Sequence, residues 1–284
     1  MNLYATLTAL KSRLDITATT EDDVLMAYLE AASREVDNLT HRHFYVETAT
    51  RFFDTKSSFA KLLIDDVLSV TTLTTDSELD GTYDGETWTE GATNDFTLWP
   101  WNVWPKMEVD VAVNGDYTFP KKADRYVQIA GLFGYGDGKS ATPYEAALTA
   151  AGVAVTVVAD DAIEVQLNVS ADSVIEPGHT ILVESEQIYV GSVAAGFINV
   201  ERGVNGTTPA AHATKPANIY LYPNLITEAV KIAASDLFNN EGIEGFSSER
   251  IGDYSYQKLT NRGDALIKEV LGRFVGSYIK TVVA

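Results

Sequence analysis

The chain has 284 residues, no cysteine and a formal net charge of -19. The absence of cysteine excludes a disulfide framework, a cysteine nucleophile and a thiolate metal site. A negative field of this size repels phosphate and argues against a protein that reads nucleic-acid sequence. No signal peptide is expected at the N-terminus, and no stretch approaches the ~20 apolar residues of a membrane span.

The first forty residues contain two helical patterns. Leu7 to Leu14 predicts a short helix, and apolar residues at spacings of three and four predict a longer one from Thr20 to Leu39. Thr20 followed by Asp23 is similar to a capping box, with Asp in place of Glu. The later segment Leu225 to Phe238 has a matching apolar face, so we expect it to pack against the longer helix.

Two histidines, His41 and His43, come directly after the second predicted helix. At this spacing they could bind a metal in an extended chain. Because no acidic or histidine partner lies close in sequence, we instead interpret them as the end of a helix, where cations are favourable. No metal site is predicted.

The region from Phe44 to Asp137 has β character. Runs of β-branched and aromatic residues predict four strands. These are Thr48 to Phe53, Lys61 to Leu73, Met107 to Val113 and Arg125 to Ile129. The segment Asp76 to Asn94 is rich in Asp, Gly, Thr and Glu, which predicts a loop.

Three tryptophans alternate with prolines and polar residues in LWPWNVWPK. They are Trp99, Trp101 and Trp104, and we identify them as candidate aromatic contact residues. Such a cluster can form a platform for sugar rings or bases. The alternative, which we favour, is that the tryptophans anchor an irregular loop onto the sheet or onto a neighbouring subunit.

The glycine-rich segment Gly131 to Ser140 invites comparison with a phosphate-binding loop. The spacing fails, because that motif needs glycine where this chain has Phe133. The segment therefore predicts a tight exit from a strand, and no cofactor is expected. A short helix is predicted next, from Tyr144 to Gly152.

From Val153 to Thr208 apolar and polar residues alternate, with turn signals between the runs. The turns are predicted at Asp160-Asp161, Pro177-Gly178, Ala195-Gly196 and Asn205-Gly206. Short, evenly spaced strands of this kind predict a small all-β sandwich or barrel. Because helical and mixed segments flank it, we expect an inserted domain at a loop.

The helix predicted over Leu225 to Phe238 ends before Gly242 and Gly245, and a polar, aromatic segment follows. We interpret this segment as a contact strip. Its candidate residues are Ser248, Glu249, Arg250, Ile251, Gly252, Asp253 and Tyr254. A last helix is predicted over Ala265 to Val275.

No residue constellation supports catalysis. The four histidines, at positions 41, 43, 179 and 212, fall in no triad, zincin or deaminase pattern, and no serine has a nucleophile-elbow context. The prediction is that the protein is not an enzyme.

Both ends of the chain are similar to the head-tail connector (adaptor, or head-completion) proteins of long-tailed phages. The opening LTALKSRLDITATTEDDVLMAYLEAASREVDNLTHRHF resembles the start of that family, with its exit motif at Thr40 to Phe44. Gly131 to Gly136 is similar to the family's strand exit, and Ser248 to Ser255 to the segment after its second long helix. The resemblance covers residues 1 to about 140 and 222 to 275.

The resemblance implies a structural virion protein at the neck. It would form a ring, probably of twelve subunits, beneath the portal protein, join a tail or stopper protein and continue the DNA channel. In that setting the contact strip would dock on the portal or on a neighbouring subunit. DNA would pass without specific binding, and no membrane is involved. Assembly is expected in the host cytoplasm.

The predicted fold class is α+β, with a helical-bundle base, a β-sheet elaboration and an inserted all-β domain. The predicted domains are residues 1–140 plus 222–284 for the connector and 141–221 for the insert, which we place on the outside of the ring. The alternative function is a carbohydrate- or host-surface-binding phage module that uses the tryptophans and the β insert.

Overall fold

In the computed structural model, the described residues are 2–55, 60–91, 93–113, 115–171, 174–240, 248–251, 254–257, 272 and 274. The chain divides into two compact units. The first, here called the barrel unit, comprises Met1–Arg42, Tyr144–Val204 and Thr208–Ala284. The second, the sheet unit, comprises His43–Pro143 and Asn205–Thr207. The predicted boundaries at 141–221 divide the chain differently, because they separate the helices from the strands of the barrel unit.

The sheet unit contains six strands in the order β1-β6-β2-β5-β4, with β3 paired to β2, and all pairings are antiparallel. Their bounds are β1 Glu47–Thr55, β2 Lys61–Thr75, β3 Thr87–Trp88, β4 Phe96–Trp99, β5 Lys106–Val111 and β6 Ala123–Phe133. The four strands predicted between Thr48 and Ile129 are confirmed. Each of the β-branched and aromatic runs lies in one observed strand, namely β1, β2, β5 or β6.

The core of the sheet unit lies on one face of these strands. In β2, alternate residues Leu62 and Ile64 are buried while Lys61 and Leu63 are exposed. This alternation follows from the period of two in a strand. The buried cluster comprises Leu62, Ile64, Val67, Leu73, Trp88, Phe96, Leu98, Val109, Phe119, Val127, Ile129 and Phe133.

The glycines after β6 form the tight strand exit that was predicted. Gly134 has φ +138°, and its N–H donates to the carbonyl of Asp66. Asp137 accepts the N–H groups of Lys139 and Ser140, which closes the following turn. No helix begins there, and residues Tyr144–Ala146 form strand β7 rather than the predicted short helix. The helical prediction for Tyr144 to Gly152 is therefore wrong.

Seven strands of the barrel unit follow the order β10-β11-β12-β9-β8-β13-β7, and an additional pairing joins β10 to β13. Their bounds are β7 Tyr144–Ala146, β8 Thr156–Ala159, β9 Gln166–Val169, β10 Thr180–Val183, β11 Glu186–Ala194, β12 Phe197–Glu201 and β13 His212–Tyr220. The extra pairing closes six strands into a barrel and leaves β7 outside the ring. Closure pairs the backbone groups that an open edge would expose.

Inward-facing residues of the barrel form its core. They alternate along the strands, as the sequence pattern predicted. The buried members are Ala147, Val155, Val157, Ala159, Leu167, Val169, Ile175, Ile181, Val183, Ile188, Val190, Ile198 and Ala217. Ile163 and Val165, predicted to extend one of these strands, are instead largely exposed, and β9 begins only at Gln166.

The described part of the barrel unit contains three helices: α1 (Leu7–Leu14), α2 (Asp22–Thr40) and α3 (Asn224–Asn239). The α2 helix packs against α3, as predicted, and α1 contacts both. The capping box predicted at Thr20 and Asp23 is wrong, because Glu21 holds the cap position of α2 and makes no side-chain cap hydrogen bond. Pro223 holds the cap position of α3.

The N-terminal segment joins the helices to the barrel strands within this unit. Leu7 donates its backbone N–H to the carbonyl of Pro177 over 3.3 Å, and the Thr180 hydroxyl donates to the Asn2 side chain over 3.3 Å. The ring of Tyr4 lies 4.8 Å from that of Tyr222, just before α3. Helices and barrel therefore share buried contacts.

The predicted fold class, with a helical-bundle base, is wrong. Strands dominate the described chain, and the helices pack with a closed six-stranded barrel instead of forming a bundle that supports everything else. Two short strands, β14 (Ser248–Ile251) and β15 (Tyr254–Gln257), form a further hairpin. The last helix predicted, over Ala265 to Val275, lies largely outside the described residues.

Candidate interaction surfaces

The tryptophan loop, residues 99–105, connects β4 to β5 at the surface of the sheet unit. Trp99 ends β4 with 47% of its surface exposed, and Trp101 is 65% exposed at the centre of the loop. Val103 is also exposed. Isolated exposed apolar residues are common, but three within five positions mark a contact surface.

Trp104 faces the opposite way and anchors this loop. Its indole N–H donates to the carbonyl of Leu68 on β2 over 3.3 Å. The ammonium of Lys106, a residue only 8% exposed, lies 4.4 Å from the centre of the Trp104 ring. That ammonium also donates to the carbonyl of Pro100 over 2.6 Å. Burial lowers the pKa of Lys106, against an opposing effect of Glu90.

The tryptophans therefore divide between two roles. Trp104 serves as the anchor that the favoured interpretation predicted, and Trp88 is buried in the core, stacked on Tyr117 and Phe119. Only Trp99 and Trp101 remain available to a partner. The Lys106 ammonium lies against the Trp104 ring, so Trp104 is less open to a partner than Trp99 and Trp101. The use of the three tryptophans as a contact platform stays a prediction.

A row of cross-strand neighbours continues from the loop across one face of the sheet, with a carboxylate between two apolar side chains. Glu108 on β5 pairs in register with both Leu63 and Trp99, so the three side chains share one face. Leu63 is 52% exposed. Lys61 forms ion pairs with Glu108 and Asp110. Burial and the neighbouring Asp110 raise the pKa of Glu108, while its bond with Lys61 opposes them.

A cleft of about 460 Å³ opens at the far end of β2. Its lining comprises Thr75, Ser77, Glu78, Asp84, Gly85, Glu86, Trp88, Tyr117, Thr118 and Tyr126. The lining is mainly polar: three of these residues carry carboxylates and three are aromatic. Sequence analysis assigned residues 76–94 only to a loop and missed this cleft. The available signal was the pair of acidic residues, Asp84 and Glu86, between the aromatic residues Tyr83 and Trp88.

The predicted contact strip falls on the β14–β15 hairpin. Ser248 pairs with Gln257, Glu249 with Tyr256, Arg250 with Ser255 and Ile251 with Tyr254. The strip is thus a two-stranded element, which the sequence analysis did not predict. Gly252 and Asp253 lie outside the described residues. Its role as a docking site stays a prediction.

A buried ionic network lies where β11, β12 and β13 meet in the barrel unit. Glu186 is 1% exposed and accepts hydrogen bonds from Arg202, Gly203, Ala210 and His212. Burial alone would raise the pKa of Glu186, but hydrogen bonds from Arg202, His212 and the Ala210 N–H hold it below its usual value. These bonds fix the chain between β12 and β13.

The second ring nitrogen of His212 faces another carboxylate. Its Nδ1 lies 2.9 Å from Glu184, and Lys215 pairs with Glu184 over 2.6 Å. Bonds from Lys215 and His212 lower the pKa of Glu184. Sequence analysis missed this network. Glu186 lies two and four residues before the buried Ile188 and Val190, so the period of two in a strand places all three on the inward face. This spacing was the signal available in the sequence.

The other histidines occupy structural positions. His41 ends α2 with φ 53°, as predicted for a helix terminus, and His179 is bonded through Nδ1 to the N–H of Glu176. Within the described residues, no cluster of three or more His, Cys, Asp or Glu residues has the arrangement of a metal site. In the same part of the chain, no helix is both long and apolar enough to span a membrane.

Comparison with known families gives one match. Residues 4–74 match the model of the phage gp6-like head-tail connector protein family. The matched range covers α1, α2, β1 and nearly all of β2. The predicted resemblance to head-tail connectors is thereby confirmed for this segment, whereas its extension to residues 222–275 stays a prediction. No curated protein and no solved structure matches the chain.

Proposed function

From this family match we propose that the protein is a structural component of the phage neck, where it forms a ring beneath the portal and links the head to the tail. The observation that carries the proposal is the match over residues 4–74. That range contains the two N-terminal helices and the first two strands of the sheet unit. A structural role needs surfaces rather than an active site, and the sheet unit presents an exposed tryptophan loop and a cleft.

The net charge of -19 supports the second part of the proposal, that DNA passes this protein without being gripped. A binding surface for duplex DNA neutralises phosphates with Lys and Arg, and its affinity falls steeply with salt as counterions are released. This chain has 40 acidic residues against 21 basic ones. Tight, salt-sensitive binding of the purified protein to duplex DNA would contradict a passive channel.

The β14–β15 hairpin is proposed as the docking element for the portal or a neighbouring subunit. Its support is the similarity of Ser248 to Ser255 to the family segment that follows the second long helix. The barrel is proposed to face outward from the ring, because the inner wall of a DNA channel has no room for an additional domain. It can there meet another head or tail protein.

The test uses a phage whose gene for this protein carries an amber codon. In a non-suppressing host, we expect DNA-filled heads and free tails that do not join, and complementation with the wild-type gene should restore tailed virions. Immunogold labelling of wild-type virions should mark the neck. Normal tailed virions without the protein, or label only at the tail tip, would refute the proposal and favour a host-surface role.

A further inference from the structure

We propose that the cleft at the end of β2 binds an arginine side chain on an exposed segment of a partner protein. The inference rests on the proposed function, since it names the chemistry by which this chain would hold another protein of the neck. The site consists of the carboxylates of Glu78, Asp84 and Glu86. The rings of Tyr117 and Tyr126 complete it, and all five side chains line the cleft.

The cleft belongs to a part of the chain that has no positive charge of its own. From Leu62 to Pro105 the sequence contains nine acidic residues and no Lys, Arg or His. Glu78, Asp84 and Glu86 form no ion pair with any lysine or arginine that the structure describes. Carboxylates that line one cleft repel one another, and an added cation relieves this repulsion. Charge complementarity therefore selects a cationic ligand.

Tyr117 gives the cleft a fixed acceptor beside an aromatic ring. Its hydroxyl donates a hydrogen bond to the Glu86 carboxylate. Burial and the negative charges of Glu86 and Asp95 raise the pKa of Tyr117, so the hydroxyl keeps its proton. The Tyr117 ring is stacked on that of Trp88, with 5.2 Å between the ring centres. Because Trp88 is buried in the core, this wall is held in place before a ligand enters.

Backbone hydrogen bonds hold the opposite wall, which is the loop after β2. The Asp76 carboxylate accepts the N–H groups of Asp80 and Gly81 over 3.2 and 2.8 Å. Further along the loop, Gly85 donates its N–H to the carbonyl of Thr75 over 3.1 Å. These bonds keep the three carboxylates at the cleft despite their repulsion. A preformed site loses less conformational entropy on binding.

The lining suits a guanidinium group. The cleft volume of about 460 Å³ lies within the range of small-molecule sites. A guanidinium offers several N–H donors in one plane, which separate carboxylates can share, and its face stacks on aromatic rings such as that of Tyr126. The hydroxyls of Ser77 and Thr118 supply further acceptors. This combination favours arginine over lysine, whose ammonium has no plane to stack.

The first experiment is an NMR titration of the full-length protein with short peptides. Each probe carries one test residue between glycines and is capped at both ends. The test residues are arginine, lysine and citrulline, which keeps the shape of arginine without its charge. The indole N–H signal of Trp88, assigned through Trp88→Phe, reports on the cleft. Arginine should bind most tightly and citrulline about tenfold or more weakly, and added salt should weaken the arginine complex.

Any other order of affinity, or no binding of the arginine peptide, would overturn the proposal. Neutral variants then test whether the cleft itself attracts the peptide. The cleft variant combines Glu78→Gln, Asp84→Asn and Glu86→Gln. The matched control neutralises three exposed carboxylates of the barrel unit, Asp23→Asn, Glu35→Gln and Glu145→Gln, and therefore has the same net charge.

The cleft variant should bind the arginine peptide about tenfold or more weakly than the wild type, because it lacks the charged acceptors. The matched control should bind it like the wild type. Equal losses in the two variants would show that the net charge of the chain, and not the cleft, attracts the peptide.

A phage assay tests the role of the cleft in assembly. The amber phage is complemented with the gene of each triple variant. The cleft variant should yield about tenfold fewer tailed virions or less, whereas the matched control should complement like the wild type. Normal yields from the cleft variant would overturn this role. The neck position is tested separately, by the amber phage with and without the wild-type gene, so it survives a failure of the cleft proposal.

Discussion

Glu186 and His212 form a buried hydrogen bond in the barrel unit, with 2.7 Å between the carboxylate Oε2 and the ring Nε2. Each residue is at most 2% exposed. Arg202 approaches the same carboxylate from the other side. Removing one member of a buried ion pair leaves the remaining charge uncompensated, which is more costly than losing a surface pair. Three strands and the connection from β12 to β13 depend on this carboxylate.

Glu186→Gln should lower the free energy of unfolding by about 3–5 kcal/mol, because Arg202 keeps its charge without a carboxylate partner. The measurement is urea unfolding followed by circular dichroism. Glu184→Gln is the control. Its side chain is 46% exposed, so the loss should be several-fold smaller than for Glu186→Gln. Equal losses in the two variants would show that burial does not set the energy of this network.

The same network predicts how stability changes with pH. Glu186 and Glu184 both have pKa values below the usual 4.5 in the folded chain. The unfolded chain therefore binds protons at a higher pH than the folded one. Their contribution to stability is complete above about pH 5 and is lost as the pH falls through the folded pKa values.

Unfolding free energies measured from pH 7 to pH 3 should thus fall more steeply for the wild type than for Glu186→Gln. Arg202, His212 and Lys215 are the side chains that face these carboxylates. Parallel pH profiles for the two proteins would assign the acid sensitivity to other carboxylates of this strongly acidic chain.

Replacing Gly134 tests the tight turn that follows β6 in the sheet unit. A Cβ atom there would lie 2.0 Å from the carbonyl oxygen of Tyr45, at φ +138°. Gly134→Ala should therefore cost several kcal/mol, from the clash and from the strained backbone. Gly81 also has a positive φ, +87°, but no atom lies within 4 Å of the new Cβ, so Gly81→Ala should cost only about 1 kcal/mol.

Tryptophan fluorescence is the appropriate readout for these glycine variants, since all four tryptophans belong to the sheet unit. The midpoint of urea unfolding should shift much further for Gly134→Ala than for Gly81→Ala. Similar shifts would mean that the backbone near Tyr45 relaxes to admit a methyl group.

Leu29 and Leu237 lie on the two packed helices, the first at a buried position and the second at an exposed one. Both lie on the apolar faces predicted from the sequence, but Leu29 on α2 is fully buried and Leu237 on α3 is 42% exposed. Leu29→Ala should cost about 2–5 kcal/mol by leaving a cavity, whereas Leu237→Ala should cost below about 1 kcal/mol. Thermal unfolding of both variants measures the difference, and a larger loss for Leu237→Ala would mean that other parts of the chain cover it.

The local pattern of the sequence determined which segments form strands and helices. Alternation from Val153 onward predicted the barrel strands, because successive side chains of a strand point to opposite faces. Apolar spacing predicted α2 and α3 and their contact, and the order of short motifs pointed to the connector family. The charge of -19 argued against a sequence-reading role on nucleic acid without any structure.

Only the tertiary structure decided which strands pair to close the barrel and which residues cover each apolar face. The β10–β13 pairing that closes the barrel joins strands about thirty residues apart in sequence, and hydrophobic pattern does not specify which edges meet. For the same reason, the sequence did not separate the four tryptophans. Trp88 lies in the core, Trp104 anchors a loop, and Trp99 and Trp101 are exposed. Burial of Glu186 and Lys106 likewise depends on neighbours contributed by distant strands and loops. Pattern predicts which face of an element is apolar, but only packing places a partner on that face.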